Sequence, residues 1–600
     1  MLRLAVLAAL PCAALGIVNV SFTTFLPAPA VTIPSDFVSV SIETQNVLKM
    51  LAVWNSSPQA VNQPYAALLA HLASYSASYG PSVRVGGDSV QTSEWGPNTS
   101  APLLSPNATY RVTGADVTAM QSALPQFNGT VLLAVSAISA ALANSSLTWA
   151  QAALTGLGSR LRGVEYGNEP DLWVYKGYRA AGFAPAAYQT ELSTFLTRLG
   201  SPAAALISAP ATYGWPTNAN WNVTWTATLL SAFSSNLSAA VVHYYPLTVC
   251  SGTGSAPTAA QLLNSTAQQA LITQLQPLAL AALRLGIPLV VGEGNGICCA
   301  GALAAGVSDA MPNALWAIDA FFALAAGGVS RFHIHGGPNG ASTGDNAPVK
   351  FAVLRSATQP GGLLLGTQPL VMPVFYGLAA FAYASKRNSR LASCTASGAE
   401  ASLAVSCWAV VDSTGTGYRL VLVNKNTTAP TGSSVTVRVM LTPSSLALFT
   451  GGAPVATAAW LLPGAAGLAS AQGGGITWAG MNWDGSIDGT PTGTFTQMAV
   501  PATMPGVWDI QLPTAAAVVL SFASPPTPPP PSPPYPPPPS PPQPLPPPSP
   551  PQLSPPPSST AQQLSPPPLA VPLAQATSNA KGLHISRGLA AAAALLLLNI

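Results

Sequence analysis

Two short stretches place carboxylates where they could do chemistry. In "RGVEYGNEPDLW" (162–173) a β-branched run leads into Glu169, and in "PLVVGEG" (288–294) another leads into Glu293. Charged residues make up 6% of the chain, yet Arg162, Glu165, Glu169 and Asp171 all fall within the first stretch. For a single strand-end glutamate, a structural ion pair is the simpler account. Two of them at the ends of parallel strands read differently. One can protonate a leaving oxygen while the other attacks carbon, which is what glycosidic cleavage requires. A separation of about 5–5.5 Å is the spacing for retention of configuration.

The elements that must position this pair are legible upstream and downstream. From residue 35 to 384, β-branched runs alternate with longer Ala/Leu-rich segments. The strand candidates are 37–43, 82–87, 131–136, 163–168, 206–210, 239–245, 288–294 and 329–337. Segments such as "PYAALLAHLASYSASY" and "ALWAIDAFFALAAG" carry the apolar spacing of helices packed on a sheet. Eight strands alternating with helices predict a (β/α)8 TIM barrel, an α/β fold whose catalytic side chains project from the C-terminal strand ends. Glu169 and Glu293 then share one mouth, on the fourth and seventh strands.

Residues 385–523 change pattern. "SLAVSCWAVV", "YRLVLVNKN", "SVTVRVMLT" and "AAAVVLSFA" alternate between Gly/Thr/Ser/Pro turns and predict a C-terminal β-sandwich domain. The segment 17–34, through "IVNVSF", is open to adding a strand to it. Residues 524–577 are Pro/Ser-rich and predict an extended, disordered polyproline stalk without a core. This tract resembles the extensin-type wall glycoproteins. Residues 578–600 have small residues, a polar spacer and an apolar tail shorter than the roughly 20 residues of a membrane helix. That is the pattern of a GPI-attachment signal, and so of a lipid anchor.

Residues 1–16 have the layout of a secretory signal peptide. Sequons at Asn55, Asn98, Asn107, Asn128, Asn144, Asn222, Asn236, Asn264 and Asn426 agree with export. The expected location is extracellular, at the cell surface or in the wall. Formal net charge is +3 with no basic block, which argues against a nucleic-acid partner. In an oxidising compartment Cys394 and Cys407 are placed to bridge neighbouring strands. Cys250 is open to pairing with Cys298 or Cys299, leaving one thiol over. The cysteine spacing fits no zinc template, and no metal or other cofactor is expected.

The Asn-Glu-Pro of "YGNEPDLW" is similar to the motif of a large clan of retaining barrel glycosidases. More narrowly, the chain resembles glycoside hydrolase family 79, the β-glucuronidase and heparanase group. The matching pieces are "SVSIE" (39–43), "VRVGGDS" (83–89), "VEYGNEPDLW" (164–173), "VVHYYP" (241–246), "VVGEGNGICCAGALAAGVSDA" (290–310), "NALWAIDAFFALAAGGVSRFHIHGG" (313–337), "PLVMPVFYGLAAFA" (369–382) and "YRLVLVNKN" (418–426). They run in order over residues 35–523.

The resemblance implies Glu169 as acid/base and Glu293 as nucleophile. It also implies Asn168 as a donor to the sugar 2-hydroxyl, Glu43 as a sugar contact, and Tyr244 or Tyr245 as the residue holding the nucleophile. Arg84, on the second strand, is placed to ion-pair near Glu293 and keep it ionised. His243 is open to lining the site or to a structural role. His333 and His335 share a strand face, so one or both are expected to reach the pocket. Glu165, four residues deeper than Glu169, is expected to be a buried structural acid paired with Arg84 or Arg162. Asp171 is expected to cap its loop.

Two positions depart from the better-known branches. Cys298 stands where those branches carry a Tyr that binds the sugar carboxylate. Asp88 stands where relatives often have Asn. The expected function is a retaining β-glucuronidase acting on glucuronate-bearing wall glycans or proteoglycans. The alternatives are a retaining glycosidase for a neutral or internal bond and a non-catalytic glycan-binding wall protein.

Overall fold

The computed structural model describes residues 17–523, except 24–25, 27–29, 54–59, 97–102, 104–107, 202–205, 214–220, 251–254, 338–348, 356–362, 399–404, 416, 447–448 and 450–453. The expected leader, stalk and anchor signal lie outside these residues, as do the sequons at Asn55, Asn98 and Asn107.

Eight parallel strands close into a barrel. They are β1 (Val38–Glu43), β2 (Ser82–Gly86), β3 (Thr130–Val135), β4 (Leu161–Tyr166), β5 (Ile207–Thr212), β6 (Leu237–Tyr244), β7 (Leu289–Gly294) and β8 (Val329–His335). Each pairs with the next in sequence, and β8 closes on β1 from Phe332↔Val38 to His335↔Ser41. The (β/α)8 expectation therefore holds. Strands β2, β3, β5 and β7 are buried along their whole length. Helices cover one face and side chains fill the other, so both faces are buried, including the polar residues Arg84 and Glu293 on the inner face.

Several helices between strands start on side-chain caps. Asn62, Asn222 and Asn264 each accept a backbone N–H three residues on, which satisfies one of the orphan donors of the first turn. Two helices differ from the rest. Met311–Ala326 and Pro373–Ala384 are buried on nearly every side. Apolar residues all round a helix mean that both faces are covered, here by the barrel strands and the C-terminal sheets. A hairpin of Val349–Arg355 against Leu363–Val371 is inserted between β8 and the second of these helices, an element not anticipated above.

The C-terminal region is two sheets packed face to face. One contains Cys394–Ser397, Val18–Phe22, Ser434–Leu441 and Val507–Pro513, so the N-terminal run does add a strand. The other is built on Val405–Val411, Tyr418–Asn424, Ala517–Ala523 and Val455–Leu462. Ser434–Leu441 alternates strictly between buried and half-buried residues, whereas Tyr418–Asn424 is buried throughout. The first has solvent on one face; the second lies between the partner sheet and the barrel's helices. Val421, Val423, Ala459 and Trp478 belong to the same core as Phe322 and Phe381. Within this contact Lys425 pairs with Asp319, which also accepts from Trp408 Nε1 at 2.8 Å.

The Cys394–Cys407 disulfide is formed. It joins the two sheets rather than neighbouring strands of one sheet, because Cys394 lies in the first sheet and Cys407 in the second.

Candidate active site

The loop after β4 is shaped by its own sequence. Gly167 has φ +80, and a Cβ there would lie 2.5 Å from the Trp173 ring, so only glycine fits. Trp173 Nε1 donates to Asn168 O at 2.7 Å and pins the turn. Glu169 itself takes a left-handed conformation, φ 48, with its N–H bonded to Ala211 O at 3.0 Å. A non-glycine residue held in this region is strained and persists only where its surroundings fix it. Pro170 then opens a short 3-10 turn, and Asp171 accepts the Tyr213 N–H at 3.0 Å. Asp171 thus holds its loop to the one after β5.

On the inner wall of the barrel Arg84 reaches β4, the loop after it, and β7. Its Nη1 donates to Glu293 Oε2 at 2.5 Å, its Nη2 to Asn168 Oδ1 at 2.7 Å, and its Nε to Glu165 Oε1 at 3.2 Å. Nη2 also bonds Glu165, so the fork holds that carboxylate from two nitrogens. Arg84 and Glu165 are fully buried, as such a pair must be hydrogen-bonded to be tolerated. Gly292 on β7 leaves the room: a Cβ there would sit 3.1 Å from Glu165 Oε2 and 2.5 Å from Val241. Arg162 instead lies over the Tyr79 ring at 4.6 Å.

Glu293 and Glu169 meet at the barrel mouth, Arg84 contacting Glu293. A carboxylate oxygen of each, with a ring nitrogen of His243, lie within 4.8 Å of one another. Their partners differ. Glu293 is held by Arg84 and by Tyr245 Oη at 2.9 Å, with His335 Nδ1 at 3.8 Å. Burial pushes its carboxyl up, but His335, His243 and Arg84 outweigh burial, and the Tyr245 bond adds to them. The net result is well below the usual carboxylate range. Glu169 has Oε1 against His243 Nδ1 at 3.0 Å and Oε2 against Lys176 Nζ at 2.9 Å. For His243, burial opposes the charged form, but Glu293 and the bond to Glu169 raise it above the ordinary histidine value.

The remaining candidates sort by place. Asn168 is buried, with Nδ2 on Asp88 Oδ1 at 3.2 Å. Glu43, at the end of β1, accepts from Ser89 N–H at 2.9 Å and Ser89 Oγ at 2.5 Å, with His335 Nε2 at 3.7 Å. Burial raises the Glu43 carboxyl, Glu293 adds to this, and His335 and Ser89 oppose it. His335 also meets Ser41 Oγ at 3.0 Å. His333 does not reach the mouth. It is two residues deeper, buried, with Nδ1 3.0 Å from Val291 O. Tyr244 is a correction: it is buried with its ring edge-on to Phe332 at 6.2 Å. Strand alternation turns its side chain to the helix layer, and Tyr245, just past the strand end, meets Glu293 instead.

Asp88 is paired with Lys176 Nζ at 2.5 Å. Nothing in the sequence spacing singled out Lys176, seven residues beyond Glu169 in an irregular loop. Tyr213 was also missed. Its ring lies 6.3 Å from that of Tyr245 and its hydroxyl bonds Cys298. Cys250 pairs with Cys299, tying the loops after β6 and β7, and leaves Cys298 as the free thiol among the described residues. Burial, with the charges of Glu169 and Glu293, pushes the Cys298 thiol up to about 12 against the Tyr213 bond.

No protein-family model and no curated protein sequence matches the chain. Solved structures do. A 4-O-α-L-rhamnosyl-β-D-glucuronidase from Fusarium oxysporum 12S superposes with a TM-score of 0.64 at 17% identity, over 83% of this chain and 99% of that one. A GH51 arabinofuranosidase from Xanthomonas axonopodis pv. citri gives 0.54 at 14% identity, over 84% and 100%. A glycoside hydrolase family 44 endoglucanase from Clostridium acetobutylium gives 0.51 at 12%, over 85% and 100%. The chain has the fold of these glycoside hydrolases over nearly their whole length.

Proposed function

We propose that the protein is a retaining β-glycosidase, and specifically a β-glucuronidase. The observation that carries this reading is the Glu169–Glu293 pair: two carboxylates with oxygens within 4.8 Å at one barrel mouth, each held by its own partners. Double displacement needs this closeness, because the nucleophile and the acid act on one anomeric carbon. Glu293, held ionised by Arg84 and Tyr245, attacks that carbon as the bond to the leaving oxygen breaks. Glu169 gives its proton to that oxygen. In the second half Glu169 takes a proton from water, the water oxygen attacks, and Glu293 leaves as carboxylate. Asn168, Glu43 and His335 are the sugar contacts in this reading, His243 holds Glu169, and Arg84 acts through Glu293.

The fold shared with a β-D-glucuronidase supports the acidic sugar, and so does the resemblance to glycoside hydrolase family 79. The pairing of Asp88 with Lys176 removes one objection, because that carboxylate is not left unpaired to repel a uronate. The neutral-glycoside reading rests on Cys298, a weaker donor than a tyrosine hydroxyl. A surface or wall setting, with glucuronate-bearing wall glycans as substrate, is part of the proposal. Two disulfides support it, and so do sequon asparagines such as Asn128, Asn144 and Asn264, which are exposed.

The test is incubation of the purified protein with 4-nitrophenyl β-glucuronide and a panel of neutral β-glycosides. Turnover of the glucuronide, lost in Glu293→Ala, is expected. Cleavage of neutral glycosides alone would overturn the sugar assignment. Absence of hydrolysis on the whole panel would leave the glycan-binding reading in its place. Proton NMR of the first-formed anomer checks retention.

A further inference from the structure

We propose that Lys176 is a positioning residue that sets when Glu169 carries its proton, and that Asp88 is the seat the lysine takes while it does. Both oxygens of Glu169 are occupied. Oε1 faces His243, whose side chain is fully buried; Oε2 faces Lys176, which is 22% exposed and bonds Asp88, itself 58% exposed. A leaving oxygen arriving from solvent therefore comes to the Lys176 side. A proton on Glu169 removes the negative charge that the ammonium faces at Oε2. Asp88 Oδ1, 2.5 Å from Nζ, offers the displaced ammonium a full ion pair. On protonation of Glu169 from solvent, the lysine loses one partner and keeps the other. When the proton passes to the leaving oxygen, the Glu169–Lys176 contact reforms. Burial opposes the lysine's charge, but Glu169 and Asp88 outweigh it and hold the ammonium well above the ordinary lysine range. When Glu169 carries its proton, the Asp88 carboxylate remains as the partner of the cation.

The groups around Glu169 come from every side of the mouth. His243 (β6) and Glu293 (β7) lie within 4.8 Å, and Arg84 (β2) reaches Asn168 and His243 behind it. Tyr178, Tyr213, Tyr245 and Cys298 also feel its charge. Lys176 touches Glu169 directly and Asp88 reaches it through Lys176, both from a partly open flank and with opposite signs.

The catalytic half of this inference rests on the acid/base role of Glu169, so two readouts are paired. The first is the pH profile of kcat/KM on an aryl β-glycoside that the wild type turns over. Lys176→Met is expected to move the basic limb up by about 1 pH unit, because an opposite charge in contact favours the ionised acid. Asp88→Asn is expected to move it down, and Lys176→Arg to leave it in place. The second is a carbon-13 titration of glutamate-labelled full-length protein, with Glu169 assigned through Glu169→Gln, which needs no activity. Its midpoint is expected to move in the same opposite directions. Limbs and midpoints that stay put, or move the same way in both variants, would overturn the proposal. Midpoints that move as expected in a protein inert to every glycoside would instead refute only the catalytic reading.

Discussion

Arg84 Nη1 and Glu293 Oε2 lie 2.5 Å apart, although 209 positions separate them in the chain. The same guanidinium holds Glu165 and Asn168, so one cation serves a structural acid, the proposed nucleophile and the loop of the proposed acid/base. Removing it takes the cation from buried Glu165 and leaves Glu293 with Tyr245 and His335 alone. Arg84→Met should cost about 3–5 kcal/mol, the range for breaking a buried pair on one side. Chemical unfolding measures the loss. Adding Glu165→Gln should recover part of it.

Tyr245 and Tyr244 are adjacent but face opposite layers. Tyr245→Phe removes a hydrogen bond to an ionised carboxylate, worth about 1.5–3 kcal/mol, so kcat should fall about 10- to 100-fold. Tyr244→Phe should leave kcat on the same substrate unchanged. Steady-state kinetics on an aryl glycoside separates the two.

The pH profile should carry the signature of Glu293. Its carboxyl lies below the ordinary glutamate value, and the nucleophile works ionised, so activity is lost only as pH falls through that lowered value. The acidic limb of kcat/KM should therefore sit below the roughly 4.3 of a free glutamate side chain. An acidic limb at or above that value would contradict the Arg84 and histidine arrangement.

Cys298 should be an unreactive thiol in the folded protein. With the thiol pushed up to about 12, the thiolate fraction at pH 8 is about one in ten thousand. Iodoacetamide should label it far more slowly than in the denatured protein. Peptide mass spectrometry of the segment holding Cys298 reads the rate, and should also show Cys250 linked to Cys299.

The contact between barrel and sandwich holds a second buried pair, Lys425 with Asp319, both at most 6% exposed. Lys425→Met should destabilise by about 3–5 kcal/mol by stranding Asp319. Lys425→Met with Asp319→Leu should be milder, because the site then becomes apolar. Thermal unfolding of the three proteins orders them.

The eight barrel strands, the change to alternating strands near residue 385 and the two strand-end glutamates were all legible in the sequence, because each depends on local periodicity. Cys394 and Cys407, thirteen residues apart, were legible for the same reason. The choice between neighbours was not. Pleating settles which face a residue takes, but whether Tyr244 or Tyr245 lies past the strand end depends on where pairing with β7 stops. Cys299 rather than Cys298 joins Cys250, although the Cys298 sulfur also lies 3.3 Å from that of Cys250, and adjacent positions in a loop give no spacing that separates them. Lys176 sits in a loop without periodicity, so no spacing points to its contact with Glu169. Sequence by itself determined the barrel and the strand-end places of Glu169 and Glu293. The tertiary structure decided what holds each of them, because those partners come from other strands and meet only when the barrel closes.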